Sequence, residues 1–256
     1  MNVLATSCAV TIIVFLAGVI GLQLDRLLPE GHFSKETHDI VKLGTGMLSV
    51  LASLVLGLMI ASVKTSFDTK SSAVRTYATD LIVLDKMLRD YGGEALAARR
   101  ELRDYTGRLL NDVWQSPHEH PFFVENREAG DLFEHVWDLV RELPANSHDQ
   151  QILVSEALQI ATSLLRQRWL LIERAGPSVQ PLVIAILVLW VAAIFVSFGM
   201  NGPRHATMYV VFIVLSLALG SSIFLILEMD SPFQGALRIS EKPLETALGH
   251  MLPQGQ

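Results

Sequence analysis

Apolar residues fall into two kinds of pattern along this chain. Four runs are apolar on every side: roughly Val3 to Leu24, Gly44 to Val63, Val179 to Met200 and Thr207 to Leu227. Each has about the 20 residues an α-helix needs to cross hydrocarbon with its backbone groups paired internally. Between the second and third runs the apolar positions become periodic. Phe67, Val74, Leu81 and Leu88 recur every seven residues, with Tyr77, Leu84 and Tyr91 between them, and no proline or glycine intervenes before Gly92-Gly93. The second run is therefore predicted to continue as one helix of more than about 40 residues, about 70 Å at 1.5 Å per residue.

Breakers and caps divide the rest. Gly92-Gly93 ends the long helix, and Leu96, Leu102, Tyr105, Leu109 and Val113 predict a second from Glu94, making a helical hairpin. Ser116-Pro117-His118-Glu119-His120-Pro121 reads as a loop. A third helix is predicted from Arg127 to Leu143, before Pro144. Ser147-x-x-Gln150 is a capping box that opens another long helix through Ile152, Leu158, Leu165 and Trp169 to Gly176-Pro177. Trp169, Arg166, Arg168 and Arg174 stand where an interfacial collar belongs. The two long helices feed the second and third spans and are expected to pack antiparallel. Pro29 and Gly31 break the segment after the first span, and Ser34 predicts the cap of a short helix leading into the second. Asn201-Gly202-Pro203-Arg204 predicts a tight turn between the last two spans. Ser231-Pro232-Phe233-Gln234 reads as a capped helix start, Ser240 as the cap of one more short helix, and Pro253 to Gln256 as a frayed end.

The class that follows is all-α: a polytopic membrane protein with four transmembrane helices and a cytosolic helical domain built on extensions of the second and third spans. The expected divisions are 1–63 (spans one and two), 64–178 (cytosolic domain), 179–230 (spans three and four) and 231–256 (cytosolic tail). The first run lacks a basic flank and a cleavage pattern, so it reads as a retained span rather than a signal. Lysine and arginine set the orientation. Lys64, Lys70, Arg75, Arg166, Arg168, Arg174, Arg238 and Lys242 lie on the side of the N-terminus, against Arg26, Lys35, Lys42 and Arg204 on the other. Both termini are expected to be cytoplasmic.

The second span has two unlike faces. On a wheel of about 100° per residue, Gly46, Val50, Ser53, Gly57, Ile60 and Lys64 share one side, with Ser49 at its edge, and Leu48, Leu51, Val55, Leu58 and Met59 lie opposite. A narrow, weakly polar face either packs closely against another helix or lines a path. Ala17 and Gly21 in the first span have the spacing for close helix packing, as do Ser216 and Gly220 in the fourth.

Composition agrees with the pattern and narrows the chemistry. Half of the 256 residues are hydrophobic and 18% charged, and mean hydropathy is +0.38. A net charge of −6 offers no basic face for phosphate contacts, so nucleic acid is not an expected partner. Cys8 is the single cysteine, which excludes an intrachain disulfide and a cysteine-based metal site. His32 and His38, and His118 with His120 between Glu119 and Glu125, read as loop residues rather than metal ligands. There is no nucleotide-binding loop, nucleophile elbow or zinc helix, so neither enzyme activity nor a cofactor is expected.

Three segments, GTGMLSVLASLVLGLMIASVKTSFD (Gly44 to Asp68), DLIVLDKMLRDYG (Asp80 to Gly92) and LEMDSPFQGALRIS (Leu227 to Ser240), together resemble the bestrophin-like family of bacterial four-span membrane proteins. The resemblance implies the bestrophin arrangement: five subunits in the bacterial inner membrane around a central pore lined by the second span. Gly46, Ser49, Val50, Ser53, Gly57, Ile60 and Lys64 would then line an inorganic-anion path. Serine hydroxyls would replace part of the hydration shell, Val50 and Ile60 would constrict the path, and Lys64 would attract anions at the cytosolic mouth. Two departures stand out. Gly44 to Lys64 holds no phenylalanine, where bestrophins proper build a neck of bulky aromatics. Only Glu228 and Asp230 follow the last span, where calcium-gated relatives carry a dense acidic run; an ion pair with Lys64 or a collar arginine is the expected role of these two, and ion binding the alternative. The residues leave a second reading open, a membrane-anchored helical interaction module without transport.

Overall fold

The structure is a computed structural model that describes residues 3–27, 35–115, 127–174, 176, 178–203, 205–233 and 235–252. Its helices are α1 (Val3–Leu27), α2 (Lys35–Tyr91), α3 (Leu96–Leu110), α4 (Arg127–Arg141), α5 (His148–Glu173), α6 (Pro181–Asn201), α7 (Ala206–Asp230) and α8 (Lys242–Met251). A single 3-10 turn, Gly93–Ala95, precedes α3, and a π-helical turn, Asn111–Gln115, follows it. Among the described residues there is no strand. Among the described residues four helices are long and apolar enough to cross a membrane: α1, α2, α6 and α7.

The 57 residues of α2 form an unbroken helix because no proline removes a backbone donor between Lys35 and Tyr91. The expected short entry helix and the second span are thus one element; Ser34 lies outside the described residues. Gly92 terminates α2 at φ 114°, a conformation in which a side chain would clash and glycine does not. The Ser147 cap is present. Its Oγ accepts the Gln150 N–H at 3.1 Å, and the Gln150 side chain accepts from Asn146 N at 3.1 Å, which closes the box one residue further upstream than the motif predicts.

The chain forms two compact units. One comprises residues 1–66 and 178–231. In it α1 packs along both α6 and α7, with a core of Val10, Val14, Ala17, Leu22, Phe195, Phe212, Ile223 and Ile226. Small residues set the approach. A Cβ added at Gly21 would stand 2.2 Å from the Val196 carbonyl oxygen, one at Gly199 2.4 Å from the Gly18 oxygen, and one at Gly220 1.8 Å from Thr11 Oγ1. At Gly21 and Gly199 the backbones touch, as expected where dispersion rather than the hydrophobic effect holds helices together in lipid.

The other unit comprises residues 67–177 and 232–256. Its core takes Val74, Tyr77, Leu81, Leu84 and Leu88 from α2, Leu102, Tyr105 and Leu109 from α3, Phe133, Val136 and Val140 from α4, and Ala161 and Leu164 from α5. The heptad positions of α2 are thus the buried ones. Asp85 is 2% exposed and is held by Arg99 (Nε 2.9 Å, Nη2 3.4 Å) and Arg89 (Nη2 2.7 Å), so the carboxylate ties α2 to α3. The Tyr77 and Tyr105 hydroxyls meet at 2.5 Å, which satisfies two polar groups inside an apolar core.

One local expectation is overturned. None of the described residues between 231 and 240 is helical. Gly235 sits at φ 90°, Phe233 packs edge-on to Trp114 with ring centroids 6.0 Å apart, and Trp114 Nε1 donates to the Ile239 carbonyl at 2.9 Å. Burying Phe233 and Ile239 against Trp114 of the π-helical turn outweighs the local cap signal, because an exposed single-turn helix gains little by comparison. Ser240 Oγ does accept the Lys242 N–H at 3.3 Å, where α8 starts.

Candidate functional site

The candidate site is the face of α2 within the membrane unit. Its inward seam follows the heptad His38, Thr45, Ala52 and Met59, with Val63 one turn further. Ala52, Met59 and Val63 are buried, and Leu48, Val55, Leu56 and Ile60 pack against the same core. Polar pairs pin the upper part of the seam to α6. Thr45 Oγ1 and Ser197 Oγ are 2.7 Å apart, and His38 Nδ1 meets Asn201 Oδ1. The sequence reading did not identify these pairs, although the seven-residue spacing of His38 and Thr45 from buried Ala52 was a usable signal.

With that seam inward, the predicted narrow face turns outward. Gly46, Val50, Ser53, Gly57 and Lys64 are exposed, with Val50 at 69%. A Cβ added at Gly44, Gly46 or Gly57 meets nothing within 4 Å. These glycines therefore differ in kind from Gly21 and Gly199, which lie against backbone of the same chain, and from Gly220, which lies against the Thr11 side chain. Ser49 and Ile60 are half-buried at the edges of the face. The bare arc is wider than the wheel implies. Leu51 and Leu58 of the expected opposite side are also exposed, as are Met47 and Leu54, because the shared core and the α6 contacts take only one side of α2. A cavity of about 470 Å³ opens beside it, lined by Thr45, Gly46 and Ser49 of α2, Ser197 and Asn201 of α6, and Leu215 of α7.

Ser49 Oγ donates to the Thr45 carbonyl at 2.7 Å and Ser53 Oγ to the Ser49 carbonyl at 2.8 Å. To solvate an anion, each hydroxyl has to swing its proton away from the helix, giving up a hydrogen bond worth about 1 kcal/mol net.

Glu228 and Asp230 are both buried at the end of α7. The Asp230 carboxylate accepts the Ser178 N–H at 2.6 Å and the Val179 N–H at 3.5 Å. Ser66 Oγ lies 2.9 Å from Ser178 Oγ. Among the described residues the partners of Asp230 are thus backbone donors ahead of α6, not the expected cation. A carboxylate facing otherwise unpaired N–H groups next to a helix start is well matched to them. His32, His118, Glu119, His120 and Glu125 lie outside the described residues.

Four apolar helices joined to a separate helical unit define a polytopic all-α membrane protein. The model of the bestrophin-like domain matches residues 12–244, and the chain belongs to the bestrophin-like family. Solved structures share the fold. A point mutant of a bacterial bestrophin homolog from Klebsiella pneumoniae is similar with a TM-score of 0.70 at 14% identity, over 98% of this chain and 97% of that one. A second point mutant of the same homolog scores 0.68 at 14% identity, over 94% and 96%. The structure of that homolog determined by Zn-SAD phasing scores 0.66 at 14% identity, over 95% and 96%. No curated protein sequence matches the chain.

Proposed function

We propose that the protein is the subunit of a homo-oligomeric, anion-preferring channel in the bacterial inner membrane, with both termini cytoplasmic and α2 lining the path. The observation that carries this reading is the open face of α2: its small residues are left bare by the chain's other spans, although the same helix buries a heptad seam on its far side. Symmetric copies turn one such face toward a common axis. Membership of the bestrophin-like family supports the same arrangement, with five subunits. On that path Val50 forms an apolar constriction, Gly46, Ser49, Ser53 and Gly57 provide a narrow lining with little side-chain bulk, Ile60 borders it, and Lys64 draws anions toward the cytosolic mouth. Glu228 and Asp230 lie off the path, with Asp230 holding the backbone that enters α6.

Reconstituted protein in planar bilayers or flux-assayed liposomes tests it. Lys64→Glu is expected to lower or invert the anion preference in bi-ionic reversal potentials, and Ser53→Trp to reduce current several-fold. Anion flux no greater than that of empty liposomes, from protein shown to be folded, overturns the proposal, as does an unchanged reversal potential in Lys64→Glu.

A further inference from the structure

Two features flank the bare face of α2, one on each side. On one side lies the cavity of about 470 Å³, a groove whose lining includes Thr45, Ser49, Ser197, Phe198, Val211 and Leu215. On the other, Leu43, Met47, Leu51, Leu54 and Leu58 form an apolar ridge in which every side chain is more than half exposed. Helical geometry sets the two apart. At about 100° per residue, Met47 stands to one side of Gly46 by about the angle that Thr45 stands to the other.

The chemistry of the groove calls for an apolar occupant. Its polar groups are already engaged within the chain. Ser49 Oγ donates to the Thr45 carbonyl at 2.7 Å, Thr45 Oγ1 and Ser197 Oγ are 2.7 Å apart, and Asn201 Nδ2 donates to the Ser197 carbonyl at 2.8 Å. Methyl and methylene groups can fill the space without stripping a partner from any of these bonds. Phe198, Val211 and Leu215, all exposed, offer them apolar surface. A void of about 150 Å³ holds a benzene-sized group, so this groove has room for about three apolar side chains.

A path along Gly46, Ser53 and Gly57 limits what that occupant is. An ion cannot share a wall with hydrocarbon, so both flanks of the path need a protein seal, and among the described residues the ridge is left uncovered. Copies related by rotation about the membrane normal keep each residue at one depth. Leu43 and Met47 of one copy therefore stand level with residues 42–49 of the next, which form the α2 wall of the groove. Ridge and groove meet without any shift along the axis. A ridge-to-ridge contact would instead close as a two-fold dimer and leave both grooves empty.

We infer, resting on the channel reading, that the ridge of each copy inserts into the groove of its neighbour, with Leu43 and Met47 of one against Val211 and Leu215 of the other. This head-to-tail contact, repeated around the axis, closes a ring. It puts a protein wall on each flank of the small-residue face and leaves that face turned inward.

Cysteine cross-linking of the full-length protein in native membranes tests the contact, in a Cys8→Ser background that removes the single native thiol. Met47→Cys combined with Leu215→Cys, oxidised with copper phenanthroline, is expected to give a ladder of covalent oligomers beyond the dimer on denaturing gels, because each chain presents a different thiol to each neighbour. Either cysteine alone is expected to give about tenfold less cross-linked product. Leu215→Trp, at an exposed position where the larger ring fills the groove, is expected to shift about half or more of the monodisperse, detergent-purified protein from oligomer to monomer. Cross-linking that stops at the dimer, or that is as strong with Met47→Cys alone, overturns the inference. Undiminished assembly of Leu215→Trp overturns it as well, and so does a wild type that is monomeric, with lipid chains left to fill the groove. Anion flux of the wild type separates the two readings. Flux without a ladder removes this contact and leaves the channel, whereas a ladder from protein that passes no anion keeps the contact and removes the channel.

Discussion

Replacing Gly21 and Gly57 separately by alanine tests the central structural contrast in this molecule, between glycines that let helices touch and glycines that leave a face bare. At Gly21 the new methyl would lie 2.2 Å from the Val196 carbonyl oxygen and 2.9 Å from Val196 Cα. Real Cβ contacts essentially never fall below 3.0 Å, so α1 and α6 must separate locally by about 0.8 Å. The neighbour is backbone, which cannot rotate away as a flexible side chain does. Overpacking of this kind costs about 1–3 kcal/mol. The better helix propensity of alanine recovers little of that, because a membrane helix already exists before it associates. For a chain of this size each kcal/mol moves the midpoint by roughly 2–4 °C, so Gly21→Ala is expected to lower it by roughly 2–12 °C. At Gly57 the same methyl meets nothing within 4 Å, and the midpoint is expected to stay within about 1 °C. The assay is the temperature at which half of the detergent-solubilised full-length protein remains monodisperse by size exclusion. An unchanged midpoint for Gly21→Ala would refute the packing argument. An equal loss for Gly57→Ala would show that this face is close-packed after all and remove the support for a path along it.

Two further substitutions probe the helical unit. Asp85→Asn keeps the shape of a nearly fully buried side chain but strips the charge from its contacts with Arg89 and Arg99; since Arg89 is 45% exposed, the loss is expected to be about 2 kcal/mol, below that of a wholly buried pair, read as an earlier loss of near-ultraviolet circular dichroism on heating. Burial raises the Tyr105 hydroxyl above its ordinary value, against smaller lowering effects of the Tyr77 hydrogen bond and the Arg168 charge. The unfolded chain therefore releases that proton first, near pH 10, so its contribution to stability is intact below pH 10 and is lost as pH rises toward the folded value. Thermal midpoints measured from pH 8 to 11 are expected to fall above 10, and less steeply in Tyr105→Phe; identical slopes in the two proteins would refute the assignment.

Much of the fold was legible along the chain because its signals are local. An uninterrupted heptad of Val74, Leu81 and Leu88 demands a helix with a buried stripe, and those residues are core. Gly92 marks a stop because only glycine accepts the backbone it adopts. Ser147 marks a start because its hydroxyl sits where an N–H needs it. The failure at residues 231–240 has an equally physical cause. The Ser231-Pro232 signal counts only nearby groups, whereas the packing of Phe233 on Trp114 and the hydrogen bond from Trp114 to Ile239 join positions more than a hundred residues apart. Asp230 is similar: its acidity suggested a cation, and the fold delivers backbone N–H groups from a segment some fifty residues earlier.

By itself, then, the sequence determined how many helices are apolar enough to cross a membrane, where they stop, and that the second has one small-residue face and one bulky face, since length, period and composition are properties of a single helix. Which of those faces is covered was decided only by the tertiary structure. Burial depends on the surfaces that the rest of the membrane unit brings up against α2, and they reach the seam of Thr45, Ala52 and Met59 while Gly46, Ser53 and Gly57 stay bare.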